Sequence, residues 1–345
     1  MSSILSVNAD FFGLDIGSSG IRLVQLRGGT AKSLVKYSYV PIDIKTSMSD
    51  SAADQTKLAA IIKQLVDKTG VTTKNVSVGI PSNKVFTTIA DIDKVPVKDL
   101  PSSIKLQADS LIPTPLDESK IDWAIIGDSP VDSTKQEIIL TSVSNKYIEA
   151  KLDMLESIGL NVVAFEPDNL AMTRALAPND ENSHIILNIG RLSSDLVIVQ
   201  AGVAKLTRNI PNGVESIVQS TMDNLNVDQK QAEQFVFKFG MVKSKLEGQV
   251  YNAMLPAVNL LVTEIEKSIK FYQNRYNKAA VKDIIVSGGA SVIPELPLYF
   301  ANKFSINIEI GNAWRNVAYS KDRENELLTI SNQFAVAVGL AERTV

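Results

Sequence analysis

The stretch Asp15-Ile16-Gly17-Ser18-Ser19-Gly20 decides the fold, because it recurs from position 188, 173 residues later, as Asn188-Ile189-Gly190-Arg191-Leu192-Ser193. The offset then holds without a gap, pairing Leu23, Val24, Gly29, Ala31 and Lys32 with Leu196, Val197, Gly202, Ala204 and Lys205. Each copy has the pattern of an apolar strand, a tight turn, a second strand, another turn and a third strand. Two such turns can face each other across a cleft and hold one phosphate chain, so nucleotide binding is the first functional hypothesis.

The composition excludes several classes of function. At 345 residues, with 45% hydrophobic and 21% charged residues, the chain is typical of a soluble protein of two domains. A net charge of −3 without a basic run argues against nucleic acid as a partner. The absence of cysteine excludes thiolate catalysis and cysteine-ligated metal, and the single histidine, His184, is predicted to be a strand-end or core residue. No signal peptide or membrane-length apolar run is visible, which predicts a cytoplasmic location.

Periodicity predicts the elements of each half. In the first half, three antiparallel strands cover residues 11–16, 21–26 and 33–40, a helix that Asp54 can cap covers 54–68, and a strand covers 76–80. From residue 84 to about 163 the pattern becomes that of a small inserted α+β module. The second half repeats the hairpin over 184–210, and helices over 213–225, 256–276 and 332–342 and a strand over 283–287 follow.

The first turn has the chemistry of a phosphate site. Gly17 permits a sharp turn and a close approach of the ligand, and successive backbone N–H groups with the Ser18 and Ser19 hydroxyls can surround phosphate oxygens. Asp15, at the end of the strand, can hold Mg²⁺ through its waters, because this ion dehydrates reluctantly. The alternative is an ordinary β-hairpin turn, in which the same residue types are common.

A third turn and one helix can complete a nucleoside site. The run Ser287-Gly288-Gly289-Ala290 ends an apolar strand, and its paired glycines would let a base or ribose approach the backbone; a structural turn is the alternative. On the preceding helix, Glu264, Lys267 and Ser268 lie three and four residues apart on one predicted face, from which they could reach ribose and base. The alternative there is a solvated helix face.

Glu166 is the candidate catalytic residue. It follows the apolar run 162–165 and precedes Pro167, at the predicted start of a helix. A carboxylate there could position a water for attack on a γ-phosphate. The alternative is a helix N-terminal charge that the helix dipole favours.

Several stretches, spread over nearly the whole chain, occur in the order of one known family. They cover residues 12–26, 108–116, 121–123, Glu166-Pro167 with the helix after it, 207–213, 267–272, 286–290 and 334–341. Together they resemble the actin-like ATPase superfamily and, within it, the PilM family of type IV pilus assembly. The segment Ile112-Pro113-Thr114-Pro115 is the most discriminating, because generic actin-like proteins lack it.

The resemblance implies an α/β actin-like ATPase fold, with duplicated ribonuclease-H-like lobes around a nucleotide cleft and an inserted small α+β subdomain. The implied subdomains are IA (8–83 and 164–180), IC (84–163), IIA (181–211 and 281–345) and IIB (212–280). ATP or ADP with Mg²⁺ would lie between the lobes, with Glu166 catalytic and Asp15 the magnesium residue through water. The implied nucleotide-binding residues are Asp15, Gly17, Ser18, Ser19, Gly20, Asn188, Gly190, Arg191, Leu192, Ser193, Gly213, Glu264, Lys267, Ser268, Gly288, Gly289 and Ala290.

The resemblance also implies partners. Subdomains IA and IC would form a groove for the short cytoplasmic tail of a PilN-like bitopic membrane protein, which would recruit this ATP-binding scaffold to the inner membrane face. Other pilus platform or motor proteins and a homo-oligomer or ring are further implied partners. The alternatives are a filament-forming FtsA-like ATPase and a sugar or acetate kinase, although no acceptor-site Asp can be placed for a kinase.

Three positions depart from the family pattern. The family usually has Asp where this chain has Asn188, and small residues where it has Arg191-Leu192. Asn188 therefore lacks one negative charge that would lie near Mg·ATP. A unit charge pair at about 4 Å and an effective dielectric near 20 is worth at most about 4 kcal/mol. Because of this loss we expect hydrolysis to be slow or absent. Asn188 can still accept a hydrogen bond from a metal-bound water. Arg191 either contacts phosphate, replacing part of the metal's charge, or faces the solvent.

Overall fold

Sheets and helices form two compact units in the computed structural model, which describes residues 10–29, 31–277 and 279–344. The strands are β1 Phe12–Ile16, β2 Gly20–Arg27, β3 Lys32–Pro41, β4 Asn75–Ile80, β5 Val85–Asp93, β6 Ser119–Asp128, β7 Lys135–Ser144, β8 Asn161–Pro167, β9 Ser183–Ile189, β10 Ser194–Gln200, β11 Val203–Ile210, β12 Val281–Ser287, β13 Asn307–Ile310 and β14 Val317–Ala318. The helices are α1 Ile44–Met48, α2 Ala52–Thr69, α3 Leu100–Leu111, α4 Asn145–Ser157, α5 Asp168–Leu176, α6 Val214–Leu225, α7 Gln229–Phe239, α8 Gln249–Arg275, α9 Leu296–Phe304 and α10 Glu324–Ala341.

The first unit comprises residues 10–81, 147–175 and 313–344 and has a six-stranded sheet in the order β14-β3-β2-β1-β4-β8. Strands β1 to β3 are antiparallel, whereas β4 is parallel to both β1 and β8. Apolar side chains of α2 pack with Phe12 and Leu14 in one core cluster. A Cβ on Gly13 would lie 2.3 Å from the carbonyl oxygen of Ala337, so α10 touches the backbone of β1. Helices thus bury β1 on both faces, which explains its continuous apolar run.

The second unit comprises residues 82–146 and 176–312 and repeats this design. Its five-stranded sheet has the order β11-β10-β9-β12-β13, in which β11-β10-β9-β12 corresponds to β3-β2-β1-β4. The register also repeats, because Ile16 lies opposite Ile21 and Ile189 lies opposite Ser194 at the same two positions of the repeat. The predicted duplication is therefore present in strand order, direction and register.

The inserted module belongs to the second unit. Its sheet has the order β5-β7-β6, and α3 covers one face through a core that includes Ile104, Ile138 and Leu140. Because side chains alternate along a strand, Glu137 and Ile139 of β7 point to the opposite face. That face also carries Asp91 of β5, which lies opposite Glu137 in the sheet.

Several predicted boundaries were wrong. Ser51, not Asp54, caps α2: its backbone is extended and its hydroxyl oxygen accepts from the Asp54 N–H at 3.2 Å. Helix α8 begins at Gln249 rather than at residue 256 and contains Pro256, because its buried stripe continues through Val250 and Ala253. Helix α10 begins at Glu324 rather than at 332, and Leu327 in its first turn is already buried.

The units also distribute segments differently from the predicted subdomains. Residues 147–163, assigned from the sequence to the inserted module, lie in the first unit, where Met154 and Leu155 join the core around α2. Residues 313–344, assigned to the second half, also lie in the first unit. The division into four subdomains stays a prediction, and its residues 8, 9, 30, 278 and 345 lie outside the described chain.

His184 lies buried at the start of β9, as predicted. In the described part of the chain, no helix combines the length and the apolar character that crossing a membrane requires.

Candidate functional site

The two predicted phosphate turns have the same backbone structure. The N–H of Gly17 donates to the carbonyl oxygen of Gly20 at 3.0 Å, and the N–H of Gly190 donates to that of Ser193, also at 3.0 Å. These donors and acceptors occupy matching positions of the repeat. The turns are therefore two copies of one loop, each at the end of a strand that is buried over most of its length.

Carbonyl groups of the first turn are held by the segment that follows β3. The Ser18 carbonyl accepts from the Ser47 hydroxyl at 3.1 Å, and the Ser19 carbonyl accepts from the Ile42 N–H at 3.2 Å. Within residues 10–29, 31–277 and 279–344, the N–H groups of Ser18 and Ser19 have no hydrogen-bond acceptor. A tight turn with fixed carbonyls and open amides is typical of an anion-binding nest.

The second turn is held by the start of α6. The Gly190 carbonyl accepts from the Val214 N–H at 3.0 Å, and the Arg191 carbonyl accepts from the Glu215 N–H at 2.8 Å. Gly213 is required at this contact, because a Cβ there would lie 2.6 Å from the Gly190 oxygen. The implied residue Gly213 thus lies directly against the turn.

The third turn packs on the end of β9. Gly288 has φ +83°, and a Cβ there would lie 2.4 Å from the Ile189 oxygen and 2.7 Å from Asn188 Oδ1. Beside Gly289 the space is open, with no described atom within 4 Å of where its Cβ would be. Ala290 is fully buried. The second and third turns are therefore neighbours, and Gly289 offers the exposed backbone that a flat ligand could approach.

A row of polar side chains crosses the first sheet beside the first turn. Asp15 lies opposite Arg22, which lies opposite Tyr39. The Arg22 guanidinium is 3.3 Å from Asp15 Oδ2 and 5.1 Å from the centre of the Tyr39 ring. Burial raises the pKa of the Asp15 carboxyl, and the charge of Arg22 opposes that shift. The candidate magnesium residue is thus a buried, ion-paired carboxylate.

The corresponding row of the second sheet has a different charge pattern. Asn188 lies opposite Asp195, which lies opposite Asn209. The Asn209 amide donates to Asp195 Oδ1 at 2.8 Å and to Ser193 Oγ at 3.3 Å. Burial raises the pKa of Asp195, and the Asn209 hydrogen bond opposes it.

The second half therefore retains a buried carboxylate, on the strand next to Asn188. Sequence reasoning missed it. The signal was present, because Asp195 occupies the repeat position of Arg22.

Arg191 does not face the solvent, so that alternative was wrong. Its Nε lies 2.6 Å from Glu215 Oε2 of α6, its Nη1 lies 2.5 Å from Glu233 Oε1 of α7, and only 19% of the side chain is exposed. The guanidinium thus joins the turn to two helices. Its contact with a phosphate stays a prediction.

Glu166 lies at the end of β8, two residues before α5 begins, rather than in a helical turn. Its carboxylate is buried and lies 2.6 Å from Arg174 Nη2 and 3.7 Å from Arg343 Nη1. An ion-paired carboxylate is less free to position a water. The catalytic role of Glu166 stays a prediction.

The same corner of the first unit contains a second buried carboxyl, which the sequence did not indicate. Glu342 is 8% exposed, and neither of its side-chain oxygens has a hydrogen-bond partner among the described residues. Burial raises its pKa to about 7, and the charges of Arg174 and Lys32 oppose the shift.

The predicted trio on α8 does not share one exposed face. Ser268 is fully buried, because it continues the apolar stripe of Ile265 and Tyr272 at helical spacing, and its hydroxyl donates to the Glu264 carbonyl. Glu264 is paired with Lys267 at 2.7 Å and with Arg208 of β11 at 3.2 Å. A contact of these side chains with ribose and base stays a prediction.

No group of three or more acidic or histidine side chains that could hold a metal occurs among the described residues. The donor set therefore fits Mg²⁺ only as an ion held mainly by phosphate oxygens and waters, with Asp15 in contact through water.

Comparison with known proteins identifies the family. The family model described as "Type IV pilus assembly protein PilM" matches residues 13–345. This chain belongs to the PilM family. The chain is also similar to solved structures. The PilM chain of a PilM-PilN type IV pilus biogenesis complex is 22% identical, with a TM-score of 0.83 and coverage of 97% of this chain and 98% of that one.

Two further structures share the fold at lower similarity. The ethanolamine utilization protein EutJ from Carboxydothermus hydrogenoformans is 15% identical, with a TM-score of 0.56, covering 96% of this chain and 88% of that one. MreB5 of Spiroplasma citri bound to ADP is 13% identical, with a TM-score of 0.54, covering 95% and 94%. The predicted actin-like α/β fold class with an inserted α+β subdomain is confirmed.

Proposed function

We propose that this PilM-family chain is an ATP-binding scaffold of type IV pilus assembly. The observation that carries the proposal is the pair of matched turns, Gly17–Gly20 and Gly190–Ser193, each with one internal hydrogen bond of 3.0 Å and carbonyls tied to the protein. Backbone N–H groups left free by such turns would bind the phosphates. The open side of Gly289 would receive the nucleoside.

Magnesium would be held mainly by the phosphates and its waters, with Asp15 as the protein contact. When bound, it would neutralise phosphate charge. The chain's own residues would contribute backbone N–H groups and the buried carboxyls of Asp15 and Asp195.

Hydrolysis is expected to be slow or absent. Asn188 lacks the charge that the family usually has there, and Glu166 is engaged by Arg174 at 2.6 Å. Both features weaken the water-positioning and metal-binding parts of phosphoryl transfer. The chain would act by changing its conformation when the nucleotide binds, rather than by hydrolysing ATP.

The partner we propose is the cytoplasmic tail of a PilN-like membrane protein, bound with the help of the inserted module. The support is family membership and the similar PilM, which was solved as a PilM-PilN complex. The partner would bring the chain to the cytoplasmic face of the membrane. Because the tail and the nucleotide would each favour particular conformations of the chain, the affinity for one should depend on the binding of the other, and reciprocally.

Calorimetry with MgATP tests the nucleotide site. Gly289→Val adds a side chain on the open side of the third turn, where no described atom would clash with its Cβ. We expect affinity to fall at least about tenfold, a loss of about 1.4 kcal/mol. Gly29→Val, at another open position, is the matched control and should bind normally. Equal affinity in both variants, or no binding by the natural chain, would refute the proposed site.

The alternatives predict other outcomes. A filament-forming FtsA-like protein would sediment only with ATP, and a kinase would consume ATP only with a small acceptor. A tail peptide whose affinity is identical with and without MgATP would contradict the proposed coupling.

A further inference from the structure

A buried carboxylate joins the inserted module to the rest of the second unit. Glu137 of β7 is 0% exposed. Its Oε2 accepts from Lys205 Nζ at 3.0 Å, and its Oε1 accepts from Arg275 Nη2 at 2.7 Å and from the Tyr276 hydroxyl at 2.8 Å. All three donors lie outside the module, on β11 and at the end of α8.

The same donors also hold the other two strands of the module. Arg275 Nη2 lies 2.8 Å from Asp91 Oδ1 of β5, and Lys205 Nζ donates to the Ile126 carbonyl of β6 at 3.0 Å. Each strand of the module's sheet is therefore fixed to this junction, which we define as Glu137, Asp91, Lys205, Arg275 and Tyr276.

The junction is rigid for a physical reason. A fully buried carboxylate is tolerated only while its charge is paired and hydrogen-bonded, so loosening one partner is costly. The ring of Tyr276 lies 5.6 Å from Lys205 Nζ and 5.7 Å from the Arg275 guanidinium, which restricts both cations further. By contrast, Lys94–Asp128 within the module is an exposed pair, of the kind that contributes little.

Strand β11 connects this junction to the second phosphate turn. Lys205 anchors the module, and four residues further on Asn209 contacts both Ser193 of the turn and Asp195 beside it. At about 3.3 Å per residue the two contacts are roughly 13 Å apart along one strand. Lys205 lies at a β-bulge, where the register shifts between Ile198 and Val199, and the residues from Leu206 to Asn209 are paired continuously with β10, so this part of the strand resists bending.

We propose that β11, through the contact of Lys205 with Glu137, transmits occupancy of the second phosphate turn to the inserted module. Lys205 is a positioning residue that touches no ligand. A shift of the turn moves Asn209, β11 and the module's sheet together. The inference rests on the proposed nucleotide binding and names the route by which it regulates the module.

Hydrogen exchange of the full chain, with and without saturating MgATP, tests the route. The reporters are residues 188–195 for the second turn and 119–128 for the module. Lys205→Met keeps the apolar stem of Lys205 and leaves Glu137 with Arg275 and Tyr276, so it should fold. Lys205→Arg is the conservative rescue. Lys94→Met, which removes the exposed pair in the module, is the matched control.

In the natural chain we expect MgATP to slow exchange at least about fivefold in both reporters, the lower end of ordinary coupling. In Lys205→Met, MgATP should still slow exchange in the second turn but should no longer slow it in the module. Lys205→Arg and Lys94→Met should behave as the natural chain. If Lys205→Met fails to fold, Tyr276→Phe serves instead, because it removes one hydrogen bond to Glu137. In Tyr276→Phe, MgATP must slow hydrogen exchange of the module less than in the natural chain.

Two results would overturn the inference: a module that still responds in Lys205→Met, or a natural chain protected only at the turn. Absence of protection at the turn itself would instead refute nucleotide binding, and the inference would fall with it.

Discussion

Replacing Glu342 by glutamine should stabilise the first unit at neutral and alkaline pH. The carboxyl is buried without a hydrogen-bond partner among the described residues, and its pKa is raised from 4.5 to about 7. Well below pH 4.5 the carboxyl is protonated in the folded and in the unfolded state, so its titration does not lower the free energy of unfolding. The cost grows as the pH rises from 4.5 to 7 and is complete above that range.

The expected magnitude follows from the shift. At 1.36 kcal/mol per pKa unit, the ionised carboxyl lowers the free energy of unfolding by about 3 kcal/mol at pH 8 and by under about 1 kcal/mol at pH 5. Glutamine keeps the shape but cannot ionise. The free energy of unfolding of Glu342→Gln should therefore exceed that of the natural chain by about 3 kcal/mol at pH 8 and by under about 1 kcal/mol at pH 5.

Urea unfolding at pH 5, 6, 7 and 8 measures the effect. In a Trp123→Phe background the fluorescence reports only Trp314, which lies buried in the first unit with Glu342. Glu156→Gln, an exposed carboxyl of the same unit, is the control and should show no such pH dependence. Curves for Glu342→Gln and the natural chain that run parallel across this pH range would refute the reasoning.

Three further substitutions have defined outcomes. Asn188→Asp restores the family's carboxylate and should raise MgATP turnover at least about tenfold, or about 1.4 kcal/mol of barrier, in a phosphate-release assay. His184→Gln removes the ring whose nitrogens lie 2.7 Å from Asp283 and 2.8 Å from Asp180. Because buried Asp283 then loses its partner, we expect chemical denaturation to show a free energy of unfolding lower by about 3 kcal/mol. Gly213→Ala places a Cβ 2.6 Å from the Gly190 oxygen and should weaken nucleotide binding in calorimetry, whereas Gly29→Ala at an open position should not.

The turns could be predicted from the sequence because their requirements are local. Gly17 and Gly190 lie within a few residues of the atoms they serve, so a repeated pattern suffices to find them. The recurrence of the three-stranded hairpin in the second half followed from the same repeat. Helix starts were less reliable: a single buried residue such as Leu327 extends α10 beyond the visible periodicity, and burial is set by neighbours far along the chain.

Side-chain partners could not be predicted, because they are distant in sequence. Glu137 lies 68 residues from Lys205 and 138 from Arg275, and nothing in its local sequence indicates a buried ion pair. The same holds for Arg191 and Glu233, 42 residues apart. A sequence pattern gives the residue type at a turn, whereas the direction of a long charged side chain depends on the tertiary fold.

The tethering of the second turn to α6 also bears on which substitutions it can tolerate. Val214 and Glu215 donate their N–H groups to the turn's carbonyls, so recognition there would depend on main-chain shape and not on the side chains at the tip. Under the proposed nucleotide binding, such a loop could vary at 191 and 192 without losing a ligand that its main chain holds. The arginine found there links the turn to α6 through Glu215 and to α7 through Glu233. Departure from a family's consensus at this loop is therefore a poor sign of lost binding.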